Sequence, residues 1–185
     1  MSAVEPVPPL TGFLPPGLPG PAPLRITLPA RELVQVSARR GAMPSGLDLT
    51  LPPPGASASA GDVTALWIQP DAWLLSAPRA GEGALLARAA PLAAGAALVD
   101  QSHGRCTLGL AGAKVRAVLA KGCRIDLHPR AFGPGRVAST QIAHLSCLLH
   151  QTGPEAFELI VFATLTANAL EWLTTAAAEY GYDFG

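Results

Sequence analysis

The chain has 185 residues, enough for one domain with a sizeable core. Its 13 basic and 13 acidic side chains give a net charge of zero, which leaves no basic excess for binding nucleic-acid phosphates. Only 14% of the residues are charged, against about 25% in an average soluble protein. Little charge repulsion then opposes association, so we expect a partner to cover part of the apolar surface.

Targeting signals are missing from the sequence pattern. No apolar run reaches the roughly 20 residues that a membrane-spanning helix needs. The first six residues lack the basic stretch and apolar core of a secretory signal. The sequence therefore predicts a cytoplasmic protein with no membrane partner.

Residues 1–24 form the first distinct segment. Eight of the 19 prolines lie in residues 1–23, together with three glycines, so neither a packed helix nor a sheet is expected there. Apolar residues such as Phe13 and Leu14 favour an extended arm that lies against another surface. A disordered terminus is the alternative. The remaining residues, 25–185, are predicted to be a single domain.

Periodicity predicts the elements of that domain in chain order. The first half predicts a strand at 33–38, a loop at 41–61, a hairpin of strands 65–69 and 73–77, and a helix over 82–90 that Pro91 ends. The second half predicts strands at 97–101 and 106–110, a helix over 113–121, paired strands within 135–150, a buried strand at 157–162 and a helix over 165–180.

Two glycines are predicted to end helices: Gly122, in the left-handed conformation, after the helix at 113–121, and Gly181 after the last helix. Pairs of strands that alternate with single helices favour an α+β domain, with antiparallel sheets covered by helices on one face. The order of the elements suggests ferredoxin-like units.

Polar residues are concentrated in Ser102-His103-Gly104-Arg105, between two predicted strands. A local catalytic triad with Asp100 is disfavoured, because Asp100 and Ser102 point to one side of the strand and His103 to the other. One interpretation of the segment is a turn that binds a ligand or a partner. The alternative is a tight, hydrogen-bonded turn that uses Gly104.

Asp126, His128 and Arg130 alternate on either side of Pro129. They either present a charged face to an anion or a neighbouring subunit, or form a self-contained loop in which Asp126 pairs with Arg130. We expect the two polar segments, 102–105 and 126–130, to lie near each other at a subunit contact.

Other kinds of site find little support in the sequence. Cys106, Cys123 and Cys147 have no metal or redox spacing and are typical of reduced, buried thiols. The glycines form no phosphate-binding or dinucleotide motif. The three tryptophans follow core patterns. We therefore expect no catalytic, cofactor-binding or metal-binding residue in this chain.

Four segments, in a fixed order, carry a resemblance to one protein family: 65–75, 98–105 (Leu-Val-Asp-Gln-Ser-His-Gly-Arg), 121–132 (Lys-Gly-Cys-Arg-Ile-Asp-Leu-His-Pro-Arg-Ala-Phe) and 171–173. They resemble the gamma subunits of heterotetrameric sarcosine oxidases and, more distantly, the folate-binding aminomethyltransferases of the glycine cleavage system. The resemblance extends from about Ala65 to Gly181. It implies an aminomethyltransferase-like fold and a structural subunit without catalytic groups.

The resemblance also implies partners and cofactors. In that family four different chains assemble, so alpha, beta and delta subunits are the expected partners. FAD, FMN, NAD, zinc and tetrahydrofolate are expected on those subunits, with none on this chain. The complex oxidises the N-methyl group of sarcosine and yields glycine, hydrogen peroxide, and formaldehyde or methylene-tetrahydrofolate.

The chain departs from the aminomethyltransferases after the Asp-x-Ser-His segment at 100–103. Those enzymes continue with a hairpin whose acid contacts folate, whereas residues 140–150 here contain no carboxylate. We therefore expect the fold without the folate chemistry. A folate-binding module of a related N-methyl amine oxidase, or an independent enzyme that uses His103, are the alternatives. The candidate subunit-interface residues are Phe13, Leu14, Ser102, His103, Arg105, Asp126, His128 and Arg130.

Overall fold

The computed structural model describes residues 14–185, and the strands of this part form two sheets. The strands are β1 (Leu24–Thr27), β2 (Arg31–Ala38), β3 (Ser57–Ala60), β4 (Val63–Gln69), β5 (Ala72–Pro78), β6 (Ala96–Asp100), β7 (Arg105–Ala111), β8 (Val137–Ile142), β9 (Leu145–Gly153), β10 (Ala156–Phe162) and β11 (Tyr182–Phe184). The helices are α1 (Ala84–Ala89), α2 (Val115–Ala120) and α3 (Thr166–Ala177), with 3₁₀ turns at Ala90–Ala94 and Ala163–Leu165.

The strand order separates the two sheets clearly. One sheet has six strands in the order β11-β1-β7-β10-β9-β8, and the other has five in the order β3-β4-β5-β2-β6. Neighbouring strands are antiparallel, except that β1 and β11 run parallel. The predicted α+β class with antiparallel sheets is confirmed.

Side-chain alternation along the strands builds four layers. In β9, Cys147 and Leu149 pack with the buried residues of α2 and α3, while Leu148 belongs to a different cluster. Because successive side chains point to opposite faces, each sheet has one face for helices and one for the other sheet. The residues between the sheets are Leu33, Leu66, Leu74, Val137, Leu148 and Ile160.

The five-stranded sheet carries α1 on its outer face through Leu85, Ala89 and the 3₁₀ residue Leu92. The carboxylate of the buried Glu32 accepts hydrogen bonds from the backbone N–H groups of Ala84 (2.9 Å) and Leu85 (3.2 Å). A carboxylate at this position satisfies two N–H groups that lack a partner within the helix. Glu32 thus fixes α1 to β2.

Most predicted elements are confirmed, with differences of one to three residues at their ends. The hairpin of β4 and β5 turns at Asp71, whose φ is 57°. The predicted loop at 41–61 was wrong at its end, because Ser57–Ala60 pairs with β4 as β3. The predicted helix at 82–90 ends before Pro91 as expected, and Pro91 is the second residue of the 3₁₀ turn Ala90–Ala94 that follows α1. Residues 182–184, for which no strand was predicted, form β11.

The strands predicted at 97–101 and 106–110 lie in different sheets. β6 pairs with β2, whereas β7 pairs with β1 and β10. The chain therefore crosses from one sheet to the other between Asp100 and Arg105. The polar segment that stood out in the sequence is this crossing.

Gly181 follows the last helix, as predicted, and its φ is 85°. The prediction of a left-handed conformation for Gly122 was wrong, because its φ is not positive. A different constraint acts at Gly122. A Cβ atom there would lie 2.6 Å from Cζ2 of Trp172 and 3.2 Å from the backbone nitrogen of Ala143. Trp172 and its helix lie against the end of α2 only because position 122 has no side chain.

The end of the predicted arm touches the domain. The backbone of Leu18 forms a bridge with Tyr182, and the N–H of Ala22 donates to the carbonyl of Tyr180. Leu14 is 49% exposed. Phe13 lies outside the described residues. Within residues 14–185 no helix is long and apolar enough to cross a bilayer.

We expect Gly122→Ala to lower the free energy of unfolding by roughly 1–3 kcal/mol, the usual cost of overpacking a fitted contact. The added methyl group would have to displace the ring of Trp172. Gly81→Ala is the matched control, since a Cβ at Gly81 meets no atom within 4 Å. Thermal unfolding of both variants tests the packing, and equal melting temperatures would contradict it.

Candidate functional site

The layer between the two sheets has an apolar middle, a buried polar cluster at one end and an open cleft at the other. Its middle is the apolar cluster that contains Leu33, Leu148 and Ile160. Side chains two residues away on the same strands point into the same layer. In one direction they are Arg31, His150 and Glu158, which meet one another. In the other direction they are Gln35, Ser146 and Phe162, which line an open cleft.

The closed end of this layer is a buried polar cluster. Nη2 of Arg31 donates to Oε1 of Glu158 at 2.6 Å. Nδ1 of His150 lies 3.3 Å from Oε2 of Glu158, and its Nε2 lies 3.1 Å from Oγ of Ser57. Arg31 and Ser57 belong to the five-stranded sheet, and the other two residues belong to the six-stranded sheet. The cluster therefore joins the two sheets.

The electrostatics of this cluster favour an ionised carboxylate. Burial alone would raise the pKa of Glu158, but the hydrogen bond from His150 and the charge of Arg31 outweigh burial, and the pKa lies below its ordinary value. Glu158 is 9% exposed and His150 is 6% exposed. Both carboxylate oxygens of Glu158 have a partner, Oε1 in Arg31 and Oε2 in His150. A buried ion pair is tolerated when its remaining hydrogen-bonding groups are satisfied in this way.

The order Ser57–His150–Glu158 resembles the connectivity of a nucleophilic triad, which sequence spacing gave no reason to expect. The hydrogen bonds of these three residues hold parts of the fold together instead. The backbone N–H of Ser57 donates to the carbonyl of Gly135 at 2.8 Å, and the Ser57 hydroxyl lies 3.1 Å from the same oxygen. In an acyl-transfer enzyme, backbone N–H groups donate to the oxyanion that forms in the transition state, but the N–H of Ser57 already has a partner. Ser57 holds β3 to the segment before β8.

The crossing at 100–105 is a tight, hydrogen-bonded turn. The backbone N–H of Ser102 donates to Oδ1 of Asp100 at 2.8 Å. Oγ of Ser102 accepts from the backbone N–H of Leu33 at 3.0 Å, so the side chain attaches the crossing to β2. The N–H groups of Gly104 and Arg105 both donate to the carbonyl of Gln101. Ser102 is therefore occupied within the chain.

His103 is the exposed residue of this turn. Its Nε2 lies 3.3 Å from Nη2 of Arg79. In that contact the ring nitrogen can only accept, because a guanidinium has no lone pair to offer. Among the described residues, no carboxylate lies within hydrogen-bonding distance of His103 to orient its ring. His103 thus lacks the partner that a general base of a triad uses.

Arg105 begins β7 beside Phe162, the last residue of β10. Its guanidinium carbon lies 4.8 Å from the centre of the Phe162 ring. Both residues line the cleft at the open end of the inter-sheet layer. Arg124, which the sequence reasoning passed over between two predicted site segments, lines the same cleft. Nη2 of Arg124 lies 3.4 Å from Nδ1 of His144.

The loop at 126–130 is largely self-contained. Oδ1 of Asp126 accepts from the backbone N–H of His128 at 2.8 Å, and Nδ1 of His128 accepts from the N–H of Arg130 at 3.2 Å. The pairing of Asp126 with Arg130, offered as an alternative, is not among the ion pairs of residues 14–185. All three side chains are exposed.

The expected proximity of the two polar segments does not extend to Pro129, although Arg124, two residues before Asp126, lines the same cleft as Arg105. Arg105 stands at the first residue of β7, whereas Pro129 lines a depression with Ala113, beyond the last residue of that strand. Arg116 confirms this position by donating to the carbonyl of Leu127 at 2.5 Å. Seven strand residues at about 3.3 Å each separate the two places by roughly 20 Å. Arg105 and Pro129 therefore lie near opposite ends of β7.

The three cysteines are free thiols. Burial raises the pKa of Cys147 to about 12, so this thiol stays protonated at neutral pH. Cys147 faces the helices and His150 faces the other sheet, as alternation along β9 predicts. Within residues 14–185, no three His, Cys, Asp or Glu side chains are grouped closely enough to hold a metal ion.

Glu158→Gln tests the cluster at the closed end. We expect the free energy of unfolding at pH 7 to fall by about 3 kcal/mol, near the low end for breaking a buried ion pair, because Arg31 keeps 28% exposure. The folded-state pKa of Glu158 lies below its ordinary 4.5, so the wild type has this stabilisation above pH 4.5 and loses it as the pH falls through the folded-state pKa.

Denaturant titrations of both proteins at pH 7 and at successively lower pH measure the effect. The difference in unfolding free energy should shrink below pH 4.5. Asp62→Asn is the control, because it removes the Asp62–Arg88 pair, whose side chains are 51% and 45% exposed. Equal losses in the two variants, or a Glu158→Gln difference that is independent of pH, would refute the role of the cluster.

Comparisons with known proteins agree with this geometry. The sarcosine oxidase, gamma subunit family model matches residues 35–179. Sarcosine oxidase subunit gamma of an Arthrobacter species is 36% identical over 149 residues, covering 78% of this chain and 72% of that protein. The gamma subunit of Corynebacterium sp. strain P-1 is 37% identical over 118 residues, covering 62% and 57%.

Two solved structures resemble the fold. A chain of heterotetrameric sarcosine oxidase from Corynebacterium sp. U-96, solved with pyrrole 2-carboxylate, has a TM-score of 0.76 and 29% identity over 88% of both chains. Glycine cleavage system aminomethyltransferase T from Bartonella henselae has a TM-score of 0.66 at 14% identity, over 87% of this chain and 47% of that one, which is a likeness of fold alone. On these matches the chain belongs to the sarcosine oxidase gamma subunit family.

Proposed function

We propose that this chain is a structural subunit of a heterotetrameric sarcosine oxidase and contributes no catalytic group. One observation carries the proposal. The chain matches a subunit of such an oxidase over 88% of both lengths, and the family model covers residues 35–179. A likeness over nearly the whole length supports a shared place in an assembly better than a short shared motif does.

The proposal includes the partners and the reaction. Alpha, beta and delta subunits assemble with this chain in the cytoplasm and carry FAD, FMN, NAD, zinc and tetrahydrofolate. The complex oxidises the N-methyl group of sarcosine to give glycine, hydrogen peroxide, and formaldehyde or methylene-tetrahydrofolate. This chain binds its partners and holds none of those cofactors.

The geometry of the polar residues supports a non-catalytic role. The ring of His103 is held by the cationic Arg79, and Ser102 is occupied by the backbone of Leu33. Ser57 and His150 are bonded into the cluster that joins the sheets. Ser57, Ser102 and His150, which belong to the residue types that carry acid–base or nucleophilic chemistry, are thus engaged in holding the fold.

The alternative of a folate-binding module has less support. The hairpin of β8 and β9 turns through Ala143 and His144, both with positive φ, and residues 140–150 contain no carboxylate. A folate amine needs a nearby acid to manage its charge. Equilibrium binding of tetrahydrofolate to the full chain separates the two proposals, since the structural role predicts none.

Several of the candidate interface residues remain available to a partner. Leu14, His103, Asp126, His128 and Arg130 are exposed. Val99, on the edge strand β6, is 49% exposed and adds an apolar surface. Ser102 and Arg105 are engaged differently, one in the crossing and one in the cleft. We propose the exposed set, not all eight residues, as contacts with partner subunits.

The chain expressed alone should self-associate or be poorly soluble, and co-expression with the alpha and beta subunits should rescue it. A net charge of zero and a charged fraction of 14% leave little repulsion to oppose association. Size-exclusion chromatography with light scattering measures the outcome. A stable, monodisperse monomer would count against a subunit role.

Turnover in the assembled complex tests the absence of catalytic groups. We expect His103→Ala and Ser57→Ala to leave the turnover number per flavin within about twofold of wild type, because a lost general base usually costs 100-fold or more. Quantifying flavin in each purified complex separates lower assembly from lower activity. Loss of turnover in a fully assembled His103→Ala complex would make His103 the leading acid–base residue.

A further inference from the structure

The structural role leaves unexplained the cleft at the open end of the inter-sheet layer. Its volume is about 550 Å³, within the range of 300–1,000 Å³ that is common for small-molecule sites. The five-stranded sheet contributes Gln35, Ile68 and Gln69 to its lining, and the six-stranded sheet contributes Arg105, Phe162 and residues of the β8–β9 hairpin. The two sheets, joined at Glu158, separate here.

The charge of the cleft is positive. Arg105 and Arg124 both line it, and no Asp or Glu is among the described residues of its lining. Neither arginine takes part in the ion pairs found within residues 14–185. Two guanidinium groups in one concave surface attract an anion, and their planar forks suit a carboxylate or a phosphate.

Arg105 is the better-defined half of this pair. Its Nε is completely buried and has no hydrogen-bond partner among the described residues. Burial lowers the pKa of its guanidinium, and the Phe162 ring provides a weaker contact at 4.8 Å. A partly desolvated cation without an anion is unfavourable. An anion bound in the cleft would pair with the charge of this guanidinium.

The rest of the lining is neutral and combines polar with apolar residues. The side-chain amides of Gln35, Gln69 and Gln141 offer both donors and acceptors to the space. Oγ of Ser139 donates to the carbonyl of Ile68 at 2.7 Å, which joins β8 to β4 at the base of the cleft. A site of this kind is held in shape before a ligand arrives.

We propose that this cleft binds a small organic anion, whose carboxylate or phosphate group pairs with Arg105 and Arg124 and whose polar body bonds to the glutamine amides. A concave space of this volume fits a small molecule better than a protein surface, which recognises partners over broad, flatter patches. The inference goes beyond the structural role and does not rest on it, since the cleft lies within this chain.

Calorimetric titration of the full chain with inorganic pyrophosphate and with succinate, at constant ionic strength, tests the proposal. One probe should bind with a stoichiometry of one. Arg105→Gln and Arg124→Gln should each weaken that binding by roughly 10- to 100-fold, the loss expected for a hydrogen bond to a charged group. Arg39→Gln is the matched control, because Arg39 is exposed and outside the lining.

A further variant guards against a change of fold. Ser146 is exposed and lines the cleft, so Ser146→Glu places a carboxylate in the site and should abolish binding while circular dichroism stays unchanged. Failure of both probes to bind, or equal binding by all the variants, would overturn the proposal. Binding that disappears when the alpha and beta subunits are co-expressed would also overturn it, in favour of an acidic segment of a partner.

Discussion

The face-to-face contact between the two sheets is the constraint on which the rest of the molecule depends. Every second side chain of β2, β9 and β10 points into this layer, so each strand presents a polar, an apolar and a cleft-lining residue in turn. The apolar middle excludes water, and the buried Arg31–Glu158–His150 cluster specifies how the sheets are placed at one end. An ionised carboxylate that must meet both partners tolerates little sliding of one sheet past the other.

The contact between the sheets also determines which polar groups are bonded within the chain and which remain free to bind a ligand. At the closed end, Ser57, His150 and Glu158 form hydrogen bonds that join the two sheets. At the open end two arginines remain without carboxylate partners among the described residues. A subunit with a rigid closed end and an open, charged end can serve an assembly as a scaffold and still hold a small molecule of its own.

Sequence reasoning predicted the elements that carry a regular period and missed those defined by tertiary contact. Alternation at 33–38 and a nearly continuous apolar run at 157–162 were sufficient for β2 and β10. Ser57–Ala60 and Tyr182–Phe184 are too short and too mixed in composition for that signal, and they become strands through pairing with β4 and β1. The polar turn at 102–105 was recognised, but its crossing between sheets depends on pairings far along the chain.

Hydrogen exchange of the chain, alone at low concentration and in the assembled complex, tests most directly the claim that the exposed loop at 126–131 meets a partner while the cleft stays open. The account predicts that assembly protects amides at 126–131, beside the exposed Asp126 and Arg130, and leaves those at 105–106 and 139–141 unchanged. Protection at the rim of the cleft, with none at 126–131, would contradict it.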